Sequence, residues 1–123
     1  MHVYTLVITH SAQAAAREAA DALLARAAIA EGADYWTMRP GWFAERFDAA
    51  GLGHARDSGV VEIARLPRPL PAPLNPAALV TPDARWHWRP LSRRGRRPWS
   101  ERLERALGRC RDGDCVVAVD VHF

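Results

Sequence analysis

The stretch from Cys115 to Phe123, CVVAVDVHF, constrains the fold more than any other part of the chain. Side chains of a strand alternate between two faces, so Val117, Val119, Val121 and Phe123 share one face and Val116, Ala118, Asp120 and His122 the other. A strand this apolar belongs inside a sheet. Its first face reads as core. Its second ends in a carboxylate and an imidazole about 6 to 7 Å apart along the strand and becomes either a helix-covered layer or a working surface.

The chain before it divides at its prolines and glycines. Val3 to Thr9 alternates as a first strand. Ser11 reads as the N-cap of a helix over Ala12 to Ala30, because its hydroxyl can accept from an unpaired N–H of the first turn. The stripe of that helix, Ala16, Ala19, Ala20, Leu23 and Ala27, is nearly all alanine, so the helix can sit close against a sheet. Gly32 ends it. A short strand over Tyr35 to Met38, a turn at Pro40 and Gly41, and a short helix from Trp42 to Ala50 follow. The rings of Tyr35, Trp36, Phe43 and Phe47 read as core, whereas Trp42, just after the turn, is held as a binding residue.

Val60 to Leu66 predicts another strand. The run PRPLPAPLNP at 67–76 cannot pair regularly, since each proline lacks a donor, and reads as a polyproline-like connector crossing the surface. Ala77 to Val80 and Arg85 to Arg89 flank Thr81, Pro82, Asp83 and Ala84 and predict a hairpin. Its indoles, Trp86 and Trp88, turn to the core, leaving Arg85, His87 and Arg89 on the open side. An arginine-rich loop spans 89–98. Pro98 suits a helix start, with Trp99, Leu103, Ala106, Leu107 and Cys110 at helical spacing and Glu101 placed to pair with Arg105.

This order predicts one α+β domain over 1–123, an elaborated ferredoxin-like sandwich. Its sheet is mainly antiparallel, with two main helices on one face and the other face partly open. A chain of 123 residues supports one core, and 49% hydrophobic with 25% charged residues is ordinary for a globular protein. No apolar run approaches the roughly 20 residues a membrane span needs, and no basic region precedes the apolar start. The expectation is a soluble, cytoplasmic protein that does not enter a membrane. Cys110 and Cys115 form no complete zinc-ligand set and are expected as reduced thiols.

Charge is uneven. All 17 basic residues are arginine and the net charge is only +3, yet the segment from Arg85 to Arg111 holds ten arginines against Glu101 and Glu104. Such a segment attracts phosphate or an acidic partner through its field. The chain has no phosphate-binding glycine loop, dinucleotide fingerprint or serine elbow, and no recognition-helix or zinc-finger motif.

Three stretches resemble a known family. ADYWTMRPGWFAERF resembles the Asp-Trp-Tyr-x-x-Gly-Gly-Arg-Trp region of a family of small uncharacterised proteins common in actinobacterial and phage genomes. LVTPDARWHW resembles its Val-Thr-Pro-Asp-Gly-x-Trp-His segment, and CVVAVDVHF its closing Val-Val-Asp-Cys-His-Ile strand. Thr81, Pro82, Asp83, Trp86, His87, Asp120 and His122 match; Arg39, Pro40 and Gly41 replace Gly-Gly-Arg, and Val121 stands in place of Cys. The resemblance implies a phage or mobile-element setting and confers no activity.

Two constellations carry chemistry. Arg85, Arg89, Arg93, Arg94, Arg96 and Arg97, with Trp42, are candidates for binding nucleic acid or an acidic, nucleic-acid-handling partner, because guanidinium groups grip phosphate with paired hydrogen bonds. Asp120, His122 and His87 are candidate catalytic residues or ligands of a divalent metal, with His10 a weaker fourth. The leading reading is a non-catalytic, cofactor-free binding protein of phage or mobile-element type. It would engage nucleic acid or a host complex that handles it, with inhibition of host defence as a role that fits. The alternative is a small metal-dependent hydrolase or nuclease using Asp120, His122 and His87. A homo-oligomeric structural protein is a third.

Overall fold

A computed structural model describes residues 1–123. Its elements run β1 (His2–Thr9), α1 (Ala16–Ala30), β2 (Tyr35–Thr37), α2 (Ala44–Ala49), β3 (Val60–Glu62), β4 (Ala78–Val80), β5 (Trp86–Trp88), α3 (Arg96–Gly108) and β6 (Cys115–His122). All six strands form one sheet in the order β2-β6-β1-β4-β5, with β3 also on β6. Only the β1–β4 pair is parallel. The chain is therefore α+β with a mostly antiparallel sheet, as its alternation predicts.

β6 takes an inner position because it is apolar on both faces. It pairs with β1 along its whole length. On its other edge β3 covers one half and β2 the other. Every residue from Cys115 to Val121 is buried, so its second face is no open surface over most of its length. Val116 and Ala118 pack with Tyr4, Leu6 and Ile8 of β1, with Phe47 of α2 and with Trp99, Leu103 and Leu107 of α3. Val117, Val119 and Val121 pack with Val7, Val80 and the α1 residues Ala16, Ala20, Leu24, Ala27 and Ala28.

The two main helices thus lie on opposite faces, which corrects the expectation of both on one. Chain direction explains it. The step from β1 through α1 to β2 crosses β6, and the step from β5 through α3 to β6 crosses β4 and β1, in the same sense along the sheet. Since β4 is parallel to β1 and antiparallel to β5, the two steps start from strands of opposite direction. Right-handed crossovers then place their helices on opposite sides. A ferredoxin-like order makes its two steps in opposite senses and brings both helices to one side.

Local differences have local causes. Ser11 makes no cap bond; a 3-10 turn, Gln13–Ala15, leads into α1 instead. The buried stripe of α1 includes Leu24 rather than Leu23. Its C-terminus closes as expected at Gly32, whose φ of 90° lets the Gly32 N–H reach the Ile29 carbonyl and the Ala33 N–H the Ala28 carbonyl. The third strand is shorter than expected, giving way to a 3-10 turn at Ile63–Arg65. Segment 67–76 forms no strand, but it is anchored rather than superficial. Leu74 is buried in the core beneath α3, the Tyr4 hydroxyl donates to the Leu74 carbonyl (3.1 Å), and the Trp99 indole donates to Asn75 (3.0 Å). The arginine-rich loop tightens into a 3-10 turn at Arg93–Gly95, and α3 starts at Arg96, two residues before Pro98. Proline fits there because N–H groups of a first turn have no intrahelical acceptor. No helix is long and apolar enough to cross a membrane.

The alanine stripe sets the distance between α1 and the sheet. Ala20→Leu is expected to destabilise the fold by about 1–3 kcal/mol through overpacking, whereas Ala22→Leu on the exposed side is expected to stay within about 0.5 kcal/mol of the parent. Urea unfolding of the two variants checks this.

Candidate functional site

α3 has two characters at helical spacing. Trp99, Leu103 and Leu107 enter the core, whereas Arg102, Arg105 and Arg109, at i, i+3 and i+7, project along its exposed flank. That flank faces the β4–β5 hairpin across a cleft of about 400 Å³. His10, Thr81, Asp83, Arg85 and His87 line the other side, with Ala106 and Cys110 also contributing. None of Arg102, Arg105 and Arg109 pairs with a carboxylate. The acids nearby in sequence are engaged elsewhere, Glu101 with Arg97 (3.0 Å) and Glu104 with Arg68 (2.6 Å).

Two hydrogen-bonded histidines flank this cationic wall. The Thr81 hydroxyl bonds Asp83 and also meets His87 Nε2 (3.1 Å). An ionised Asp83 only accepts, so the hydroxyl proton goes to it and His87 Nε2–H donates to Thr81 Oγ1. That leaves Nδ1 of His87 as the lone-pair nitrogen. The Thr81 hydrogen bond, aided by Arg85, holds the Asp83 carboxyl below its ordinary value. Burial, joined by Arg102 and Arg85, pushes His87 below the ordinary imidazole value, so it is neutral at pH 7. His10, which also lines the cleft, has its Nδ1 2.9 Å from Asp114 Oδ2. Burial alone would raise Asp114, but the Arg111 N–H, His10 and the Arg111 charge outweigh it and hold the carboxyl low. His10 is thereby oriented with Nε2 free.

The sequence candidates fall in different places. Arg85 and His87 belong to this cleft. The surface they occupy is bounded by α3 and is not an open sheet face. Arg89, Arg93 and Arg96 line a second groove with Arg46, Asn75 and Trp99. Arg94 and Arg97 are exposed beside it, and Glu101 pairs with Arg97 rather than with Arg105. Trp42 is half exposed in a third groove with Arg46 and Arg56, and the Arg39 guanidinium lies 5.7 Å from its ring centroid.

The set Asp120, His122 and His87 is not brought together. β5 is three strand positions from β6, about 14 Å at ordinary strand spacing. Pairing of β5 with β4 alone accounts for that. Asp120 is 4% exposed and meets His2 Nδ1 at 2.9 Å. His122 meets Asp34 at 3.3 Å and stacks on Tyr35, ring centroids 4.7 Å apart. No group of three His, Cys, Asp or Glu side chains is placed to hold a metal ion together. Both cysteines are free thiols, raised first by burial. Cys110 borders the cleft, and Cys115 is buried on the α1 side.

Sequence reasoning missed Arg102, Arg105 and Arg109 as a site, although their helical spacing was visible. It also missed the histidine–aspartate pairs. His10 and Asp114 are 104 residues apart, and His2 and Asp120 are 118 apart, so only sheet pairing joins them. The chain matches no protein-family model, no curated protein and no solved structure.

The lowered His87 gives a signed pH dependence. A histidine whose folded pKa lies below its unfolded value contributes stability that is fully present above the unfolded value, about 6.5, and is lost as pH falls through the folded one. His87→Gln is therefore expected to lose less stability than the parent between pH 7 and pH 5. Thermal melts across that range check it; parallel curves would show that His87 carries no such linkage.

Proposed function

We propose that this protein binds the phosphate backbone of a nucleic acid through the arginine cleft between α3 and the β4–β5 hairpin. The observation that carries the proposal is the row of unpaired guanidinium groups at Arg102, Arg105 and Arg109, faced by Arg85 and His87. Three arginines at this spacing extend about 10 Å along a helix, enough to follow a backbone rather than a single ion. Guanidinium matches phosphate with two parallel hydrogen bonds. The groove holding Arg89, Arg93 and Arg96 extends the basic surface around the start of α3.

Nothing in the cleft is a base-reading device of a common kind, so the contacts are of the positioning type and sequence-tolerant. This suits the phage or mobile-element setting that the resemblance implies. A small protein that occupies nucleic acid, or the acidic substrate channel of a host complex that handles it, can block that complex, and host-defence inhibition is the role we assign on that ground. A hydrolase built on Asp120, His122 and His87 receives no support from their placement.

Fluorescence anisotropy with labelled single- and double-stranded oligonucleotides tests the proposal. Binding is expected to weaken linearly in log K against log salt. Combined Arg102→Ala, Arg105→Ala and Arg109→Ala is expected to reduce that slope by about 2 to 3, given roughly 0.7 to 0.9 per phosphate contact, and to cost at least tenfold in affinity at 50 mM salt. Separately, combined Arg93→Ala, Arg94→Ala, Arg96→Ala and Arg97→Ala tests the second groove and is expected to weaken binding less. Parent protein that fails to bind either oligonucleotide at low salt would remove the proposal.

A further inference from the structure

His2 and His122 sit directly opposite each other on the β1–β6 ladder, on the α3-side face but at the end of the sheet where their side chains remain partly open. Their ring centroids are 4.9 Å apart with planes at 71°. Each ring uses Nδ1 for a carboxylate: His2 with the buried Asp120 at 2.9 Å, and His122 with Asp34 at 3.3 Å. Neither Nε2 has a hydrogen-bond partner in the protein.

We infer that His2 and His122 form a two-histidine site for a divalent transition metal of the zinc class, bound through both Nε2 atoms. The separation of the rings is compatible with such a site. A metal 2.0–2.1 Å from each Nε2 lies about 3.2 Å from each ring centroid, so two rings at octahedral to tetrahedral angles stand about 4.5 to 5.2 Å apart. The observed separation falls within that interval. Imidazole nitrogen selects zinc, copper or nickel over magnesium and calcium. A ligating histidine characteristically donates its second N–H to a carboxylate, which fixes the tautomer and raises the basicity of the ligating nitrogen. Both rings have that partner here. Asp120 serves His2 from a buried position, and Tyr35, stacked on His122, limits the freedom of the second ring.

Charge is compatible as well. Asp120 and Asp34 bring two carboxylates to the cluster, one against each ring. The cation tied alongside is the amino terminus, which donates to the Phe123 carbonyl at 2.9 Å. Two protein ligands leave coordination positions open to water or to an external ligand, unlike the closed four-ligand shell of a structural zinc. The side chains of His2 and His122 are 60% and 27% exposed, so an ion can enter without rearrangement of the sheet. This site lies apart from the arginine cleft and does not depend on it.

The test is calorimetric titration of the full chain with zinc ions after chelator treatment, near pH 7.5. One zinc per chain is expected, with binding that weakens as pH falls, because metal competes with protons for its ligands. His2→Gln and His122→Gln are each expected to lower affinity at least tenfold. Asp120→Asn is expected to lower it by about 10- to 100-fold. Should Asp120→Asn fail to fold, Asp34→Asn, at an exposed position, replaces it with a smaller loss expected. The combined variant His10→Gln, His54→Gln and His87→Gln is expected to bind as the parent does. Zinc binding that survives His122→Gln, or that disappears in the combined variant while that variant keeps its circular dichroism, would overturn the inference.

Discussion

Pairing of β1 with β6 along eight register positions, from His2 opposite His122 to Thr9 opposite Cys115, joins distant parts of the chain and places everything else in the fold. Thr9 and Cys115 are 106 residues apart, so this ladder closes a long loop and carries the entropy cost of doing so. Burial offsets that cost. Val7, Ile8, Val117, Val119 and Val121 are fully buried, and the two strands supply apolar side chains to both faces of the sheet. A fold that rests on so non-local a contact is expected to form more slowly than a helical domain of its size.

Once that ladder exists, the rest is constrained by direction. β2 and β3 fill the outer edge of β6, while β4 and β5 extend the sheet from β1. Two crossovers in the same sense from strands of opposite direction place α1 on one face and α3 on the other. Each helix meets its face with the side chains that suit it. α1 approaches closely with alanines, and α3 presents Trp99, Leu103 and Leu107 to a deeper layer that also takes in Phe47 and Leu74.

The same geometry separates two chemistries on one side of the sheet. At one end, α3 and the hairpin turn their arginines toward each other, and the only acid lining the cleft is Asp83, engaged by Thr81 and Arg85. Unpaired like charges held this close repel one another, a cost that a bound polyanion relieves. At the other end, where α3 no longer covers the sheet, two histidines and two aspartates form a polar cluster around the paired strand ends. In both places a buried aspartate, Asp114 or Asp120, orients the Nδ1 side of a more exposed imidazole.

The strand alternation of Val3 to Thr9 and Cys115 to Phe123, the helical stripe ending at Cys110, the stop at Gly32 and the hairpin around Thr81 to Ala84 were legible because each depends on neighbours within a few residues. Local pattern therefore determined the elements, their α+β class and the concentration of arginine in one segment. It left open which face of the last strand would be covered, because alternation shows that two faces exist without showing what packs on either. Only the tertiary structure decided that both are covered and that α1 and α3 oppose each other. It also decided that His87 stands three strands from Asp120 while His2 and His10 take up the aspartates. Strand order and crossover sense join residues about a hundred positions apart, and no periodicity within a segment encodes its neighbour across the sheet.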